Sequence, residues 1–233
     1  MGKTSTCVNM SIALARHNSR VCLLDADLGC ANADVLCGMM PTARLDEAAP
    51  GGFSLIPGSV GFGLAGELDA QDRRALVSGL GALGDDHDAV IIDTSAGLGD
   101  AVTGFLQAAD LGVIVMTPEP TSVADAYALV KVLATHERSS IPRLGLVINQ
   151  AQHEKEAASV YERMAGVCER FLGLRVPMIG YVRSDKRVSK AVRERSPYML
   201  ASPKGRASKD MLRLGRSMIE FASIEPWSDG VGY

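Results

Sequence analysis

The sequence predicts an α/β protein: a mainly parallel sheet with helices on both faces. Three observations predict it. Short apolar runs alternate with stretches of helical period along most of the 233 residues. Aromatic residues make up only 5% of the chain against 47% apolar, so the core is built from Ala, Val, Leu, Ile and Met, which suits helices packed on a buried sheet. Acids follow two of the apolar runs, at the strand ends where open parallel sheets place their ligands.

The elements follow in order. From Thr4 to about Arg16 the pattern is helical, with Val8, Ile12 and Ala15 on one face and Arg16-His17-Asn18 closing it. Val21–Asp25 is a continuous apolar run ending in an acid, as a strand buried on both faces would be. Leu28–Gly38 is a connection in which Asn32 and Asp34 could cap a short helix. Phe53–Gly58 predicts a brief strand stopped by Pro-Gly, Glu67–Leu83 an amphipathic helix, and Asp88–Thr94 a third strand. A short helix over Ala101–Ala109 then leads to the strand Leu111–Thr117, and Thr121 or Ser122 could cap a helix over Ser122–His136. Strand Leu144–Asn149, helix Glu154–Leu172, strand Pro177–Val182 and helices over Lys186–Arg195 and Arg206–Phe221 complete the pattern. Strands separated by helices require crossover connections, hence parallel pairing. No repeat or linker divides the chain, so we expect one domain over 1–224 and a short polar tail over 225–233.

A net charge of −3 indicates neither a nucleic-acid binder nor an acidic tail. The five cysteines lack metal-type spacing and suit a reducing compartment. With no signal peptide and no apolar run of membrane-spanning length, we expect a soluble cytoplasmic protein.

Gly2-Lys3-Thr4-Ser5 reads as the end of a phosphate-binding loop turning into a helix. Backbone N–H groups at such a helix start face phosphate, lysine reaches the terminal phosphates, and the threonine hydroxyl ligates Mg²⁺. Alone, Gly-Lys-Thr is a weak signal. Asp25 and Asp27 after one strand and Asp93 after another strengthen it: a strand-end carboxylate can hold the Mg²⁺ hydration shell, and a second can position the attacking water. As bland alternatives, such acids cap helices or face solvent.

Gly-Lys-Thr-Ser, then Leu23-Leu24-Asp25-Ala26-Asp27, then Ile91-Ile92-Asp93-Thr94-Ser95-Ala96-Gly97, resembles the MinD/ParA family of deviant Walker A ATPases, a SIMIBI-type P-loop NTPase fold. Met116–Ser122, with its Pro-Glu-Pro-Thr-Ser, is most similar to the flagellar-number regulator (FlhG) branch of that family. The resemblance implies ATP and Mg²⁺ as ligands, with Gly2, Lys3, Thr4 and Ser5 on the phosphates and Thr4, Asp25 and Asp93 at the metal. It further implies Asp27, with Lys3, as the catalytic pair, Asp27 orienting the hydrolytic water. Asn149 would read adenine, and Asp185 would contact base or ribose. The family acts as an ATP-dependent homodimeric switch in spatial regulation. Flagellar placement is the leading role, with septum-site or partition function as the alternative, and a non-catalytic partner-binding module as a second class.

In that family a further lysine, two loop glycines and a central strand precede Gly-Lys-Thr, and Met1 stands where relatives have Val. We expect a start codon misplaced at a valine GTG, which the upstream DNA decides. Residues 183–216 hold eleven Lys/Arg against three acids, a surface for anionic lipid at the inner membrane face, for DNA as the weaker choice, or for solvent. Met211, Leu212, Leu214, Met218, Ile219 and Phe221 fit core packing better than membrane insertion. A flagellar GTPase or another regulatory protein is the expected partner.

Overall fold

The computed structural model describes residues 2–27, 31–40, 47–58, 79–135 and 143–223. Helix α1 (Lys3–Ala15) leads to strand β1 (Val21–Ala26), whose six residues are all buried. After the short α2 (Ala33–Leu36), β2 (Glu47–Ala49) and β3 (Phe53–Ile56) form a hairpin. Three residues, Glu-Ala-Ala, carry no strand signature, so β2 could not be read from sequence; its pairing with β3 makes it a strand. The turn needs glycine. Gly51 sits at φ 106°, and a Cβ there would lie 2.6 Å from Cγ1 of the core residue Ile12. Residues 79–86 are helical; the rest of the predicted helix Glu67–Leu83 lies outside the described residues.

Then come β4 (Ala89–Thr94), α3 (Asp100–Ala108), β5 (Leu111–Met116) and α4 (Pro120–Ala134). The expected start of α4 at Ser122 is corrected. Pro120 opens the helix, because its fixed φ suits the first turn and its missing N–H leaves nothing unpaired. Neither Thr121 nor Ser122 caps it; the Ser122 hydroxyl instead accepts the Thr117 N–H at 3.0 Å, tying the strand exit to the helix. Strand β6 (Arg143–Ala151), helix α5 (Glu154–Leu172), β7 (Met178–Arg183), α6 (Lys186–Arg193), the unexpected one-turn α7 (Tyr198–Ala201) and α8 (Arg206–Ser223) follow.

The described strands form two sheets, β2-β3-β1-β4 and β5-β6-β7, parallel throughout except at β2. No strand among the described residues stands between β4 and β5, which are an edge of each sheet. One core nevertheless draws on both. Val21 and Leu23 of β1, Val147 of β6 and Ile179 and Val182 of β7 pack with Val8 and Ile12 of α1 and Met211 and Leu214 of α8. Ile91 of β4 and Val113 and Val115 of β5 pack against the same cluster. On the opposite faces, Leu146 and Ile148 meet α4 and α5, and Cys22 and Leu24 meet Phe105 of α3. The period-two alternation thus puts helices on both faces.

Helix α8 resolves the apolar stripe near the C-terminus. Met211 and Leu214 are buried, and Leu212, Met218 and Phe221 are partly buried against the shared core. Gly215 lets the helix approach α1, its absent Cβ 3.1 Å from that of Ala13. Beneath it Asp210, with no exposed side-chain surface, accepts from the Arg183 Nε at 2.8 Å and Nη2 at 2.9 Å and pairs with Arg213. Burial pushes the Asp210 carboxyl up, but hydrogen bonds from the Arg183 side chain and backbone and from Arg213 outweigh it and hold it below the ordinary value.

Candidate functional site: a phosphate loop over two strand-end carboxylates

Gly2 is the N-cap of α1 and lies in the left-handed region, φ 74° and ψ 38°, with no side chain to cap the helix. The helix therefore begins with backbone N–H groups and no capping oxygen, the arrangement that receives an anion. Thr6 closes the first turn, its N–H and hydroxyl donating to the Gly2 carbonyl at 3.0 and 2.9 Å. Lys3, Thr4 and Ser5 face a cleft of about 680 Å³, also lined by Asp27, Asn32, Val35, Leu36, Thr94, Ala96, Val192, Arg193 and Arg195. Its volume suits a nucleotide-sized ligand.

Under that loop lie two carboxylates. Strands β1 and β4 pair in parallel with Asp25 opposite Asp93, so two carboxyls stand side by side at neighbouring strand ends. Each is about 1% exposed, and their settings differ. Asp25 accepts three backbone N–H groups: Asp27 at 3.1 Å, Asn32 at 2.9 Å and Ala33 at 3.0 Å. Burial lifts the Asp25 carboxyl above its ordinary value, and those three donors offset only part of the rise. Asp25 is thus the cap of α2, displacing Asn32 and Asp34 from the role their sequence suggested; Asn32 makes no side-chain cap bond and the Asp34 carboxylate accepts from the Val35 N–H.

Asp93 is the open one. Its Oδ1 accepts weakly from the Cys7 thiol at 3.6 Å, and its buried Oδ2 has no hydrogen-bond partner. Burial pushes its carboxyl up to about 6; the Thr4 hydroxyl, Cys7 and the Lys3 charge pull it back, while Asp25 adds to the rise. An orphaned buried oxygen is rare in proteins and asks for a ligand. With the Thr4 hydroxyl beside it, the donors are hard oxygens, and they fit Mg²⁺, which takes few protein ligands and keeps the rest for water and phosphate. The described residues hold no cluster of three or more His, Cys, Asp or Glu that would make a dedicated metal cage.

The remaining sequence candidates divide. Asp27 lines the cleft beyond Asp25. Asn149 ends the regular part of β6 at a bulge where Gln150 takes φ 61°. Its amide nitrogen lies 3.4 Å from the point where a Gly2 Cβ would stand, so it abuts the start of the loop without lining the cleft. Asp185 stays apart from the cleft. It caps α6 through the Arg187 N–H at 3.0 Å and reaches the Arg206 and Ala207 N–H groups at the start of α8. Burial alone would raise the Asp185 carboxyl, but the Arg187, Ala207 and Arg206 N–H groups and the Arg187 guanidinium hold it below its ordinary value. Cys7 and the two arginines of the cleft were not singled out in the sequence; the basic run after β7 was the available signal for the arginines.

A parallel sheet with helices on both faces, a Gly-Lys-Thr helix start and a strand-end carboxylate pair beneath it define a P-loop-type nucleotide-binding protein. Comparison with known proteins narrows the class. The chain belongs to the CobQ/CobB/MinD/ParA nucleotide binding domain family, whose model matches residues 1–198. It is 34% identical over 221 residues to the antiactivator FleN of Pseudomonas aeruginosa, covering 89% of this chain and 78% of that protein. It is 28% identical over 255 residues to the flagellum site-determining protein YlxH of Helicobacter pylori, covering 99% and 83%. The fold matches the cell division ATPase MinD of Pyrococcus furiosus with a TM-score of 0.75 at 19% identity, over 94% of each chain. It likewise matches MinD of Pyrococcus horikoshii, solved with Mg-ADP, at a TM-score of 0.74 and 19% identity over 97% and 94%.

Proposed function

We propose that this chain is a MinD/ParA-type ATPase whose nucleotide-dependent dimerisation controls flagellar placement or number. The carrying observation is the Asp93 oxygen, buried and unpartnered beside the Thr4 hydroxyl at the phosphate-loop helix. Gly2 to Ser5 bind the phosphates, Lys3 neutralises their charge, and Thr4 with Asp93 holds Mg²⁺. The metal, when bound, offsets phosphate charge as the leaving oxygen develops its own. Asp25 holds the Asp27–Ala33 backbone, and Asp27 at the cleft wall orients the attacking water. Asn149, against the loop, reads the base; Asp185 acts on the base side only through the α6–α8 junction it caps.

The flagellar assignment follows FleN, the more similar of these two relatives; septum-site determination is the role of a relative at 28% identity and plasmid partition that of a fold neighbour at 16%. Support for a homodimer comes from exposed apolar side chains around the cleft: Val35 and Val192 on its wall, 44% and 41% exposed, and Leu98 on the loop after β4. Such residues gain from being covered. A regulatory protein partner fits the same logic, and the structure of MinD from Aquifex aeolicus with MinC shows a fold neighbour in such a complex. No helix among the described residues is long and apolar enough to cross a membrane, and any membrane contact would be peripheral. Sedimentation velocity with Mg-ATP and with Mg-ADP tests the switch. A dimer with ATP alone, stabilised by Asp27→Ala through lost hydrolysis, is expected; a monomer under both nucleotides contradicts it.

A further inference from the structure

The cleft carries cations that the phosphate-loop reading does not use. Arg193 and Arg195, at the end of α6, line the same space as Lys3, Thr4 and Asp27. Both are exposed, and neither has a carboxylate within ion-pair distance among the described residues; Arg193 donates only to its own helix, to the Ser189 carbonyl at 3.2 Å. Two unpaired guanidiniums beside a phosphate loop present planar donors suited to phosphate oxygens.

The backbone adds an independent observation. Helix α6 ends in a Schellman turn, with the Arg195 N–H on the Val192 carbonyl at 3.1 Å and the Ser196 N–H on that of Ala191 at 3.0 Å. The residue in the left-handed position of that turn is usually glycine; here it is Arg195, at φ 50°. Three comparable turns among the described residues use the residues that tolerate this conformation: Gly38 after α2, Gly173 after α5 and Asn18 after α1. Gly38 packs directly on this site: a Cβ there would lie 2.7 Å from the Arg195 carbonyl oxygen. Two helix ends therefore meet at the cleft wall, and the one facing it keeps an arginine where a glycine would be at ease. A local rule broken at a ligand cleft points to use of the side chain.

We propose that Arg195, with Arg193 beside it, is a phosphate-binding residue of the nucleotide site, reaching the terminal phosphate from the α6 side. The assignment to the terminal phosphate comes from the cleft's lining, which pairs these arginines with Lys3 and Asp27 and does not include Asn149. It rests on the nucleotide reading above. The consequence is selectivity: Arg195 favours ATP over ADP and joins the α6–α7 turn to the nucleotide state.

Arg195→Gly is the informative variant, because glycine suits the left-handed backbone and the fold is retained. Calorimetric titration with Mg-ATP and Mg-ADP is expected to show ATP affinity falling about tenfold and ADP affinity changing less than about twofold, with an unchanged or raised melting temperature. Arg195→Lys should recover part of the ATP affinity, and adding Arg193→Ala to Arg195→Gly should lower it further. ATP affinity equal to wild type in Arg195→Gly and in the double variant overturns the proposal alone, as does an equal fall for both nucleotides. A wild type with no ATP affinity overturns the nucleotide reading, and this proposal with it.

Discussion

At the scale of the residue, Asp93 carries the proposal. Its carboxyl is raised to about 6 by burial, so its contribution to stability is fully present below the ordinary carboxylate value and is lost as pH rises through about 6. At pH 7.5 the metal-free protein holds a buried charge whose Oδ2 accepts no hydrogen bond. Asp93→Asn is expected to stabilise that form by about 1–2 kcal/mol at pH 7.5, with almost no gain at about pH 3.5, below the ordinary carboxylate value, while abolishing Mg²⁺-dependent nucleotide binding. Thermal melts at the two pH values check the first half, and titration with and without Mg²⁺ the second. Asp25 is raised in the same direction, but replacing it should destabilise the fold. Its three backbone donors lose their acceptor in Asp25→Ala, at a cost of about 2–4 kcal/mol, read as a shift in the urea midpoint. The sequence showed both acids at strand ends but not this division of labour. Which carboxylate a loop's N–H groups find depends on the path of Asp27–Ala33, and no local pattern encodes it. The left-handed Arg195 was equally illegible, since composition marks glycine and asparagine for that conformation, not arginine.

Elements were more legible where period and punctuation agreed. Helix α5 has its predicted bounds because an acidic first turn and Gly173 mark its ends. Strands β1, β4 and β5 were visible as apolar runs, whereas β2 exists only through its partner and Pro120 moved the start of α4. The tie between β7 and α8 gives a prediction at this scale. The Arg183 and Arg213 donors hold the Asp210 carboxyl below its ordinary value, so its stabilisation is present above about pH 4 and is lost as pH falls through the lowered folded value. Asp210→Asn should therefore destabilise the protein by about 1–3 kcal/mol at neutral pH and flatten the acid side of its stability curve. Equal acid sensitivity in the two proteins would show that the pair contributes nothing. Gly51→Ala tests the hairpin: strained φ and the contact with Ile12 should cost about 2–3 kcal/mol in chemical unfolding.

At the scale of the whole molecule, one core shared by two sheets carries the phosphate loop, the carboxylate pair and the C-terminal helix. Helix α1 links them: it begins in the cleft, packs on both sheets' common cluster, and reaches α7 where Asn9 accepts the Met199 N–H at 2.9 Å. A change at the nucleotide therefore has a packed route to α7 and α8. The apolar side of α8 was legible as a stripe, yet its destination was not, because a core face and a membrane face share one period; contact with β7 and α1 decides for the core. The family was legible in spaced motifs, and it is borne out. The most direct test of the central claim is equilibrium binding of ATP to the wild-type chain and to Lys3→Ala, with and without Mg²⁺. Mg²⁺-dependent affinity in the wild type that falls at least about 100-fold in Lys3→Ala is predicted; no affinity in the wild type, or affinity indifferent to Lys3 and to Mg²⁺, would contradict it.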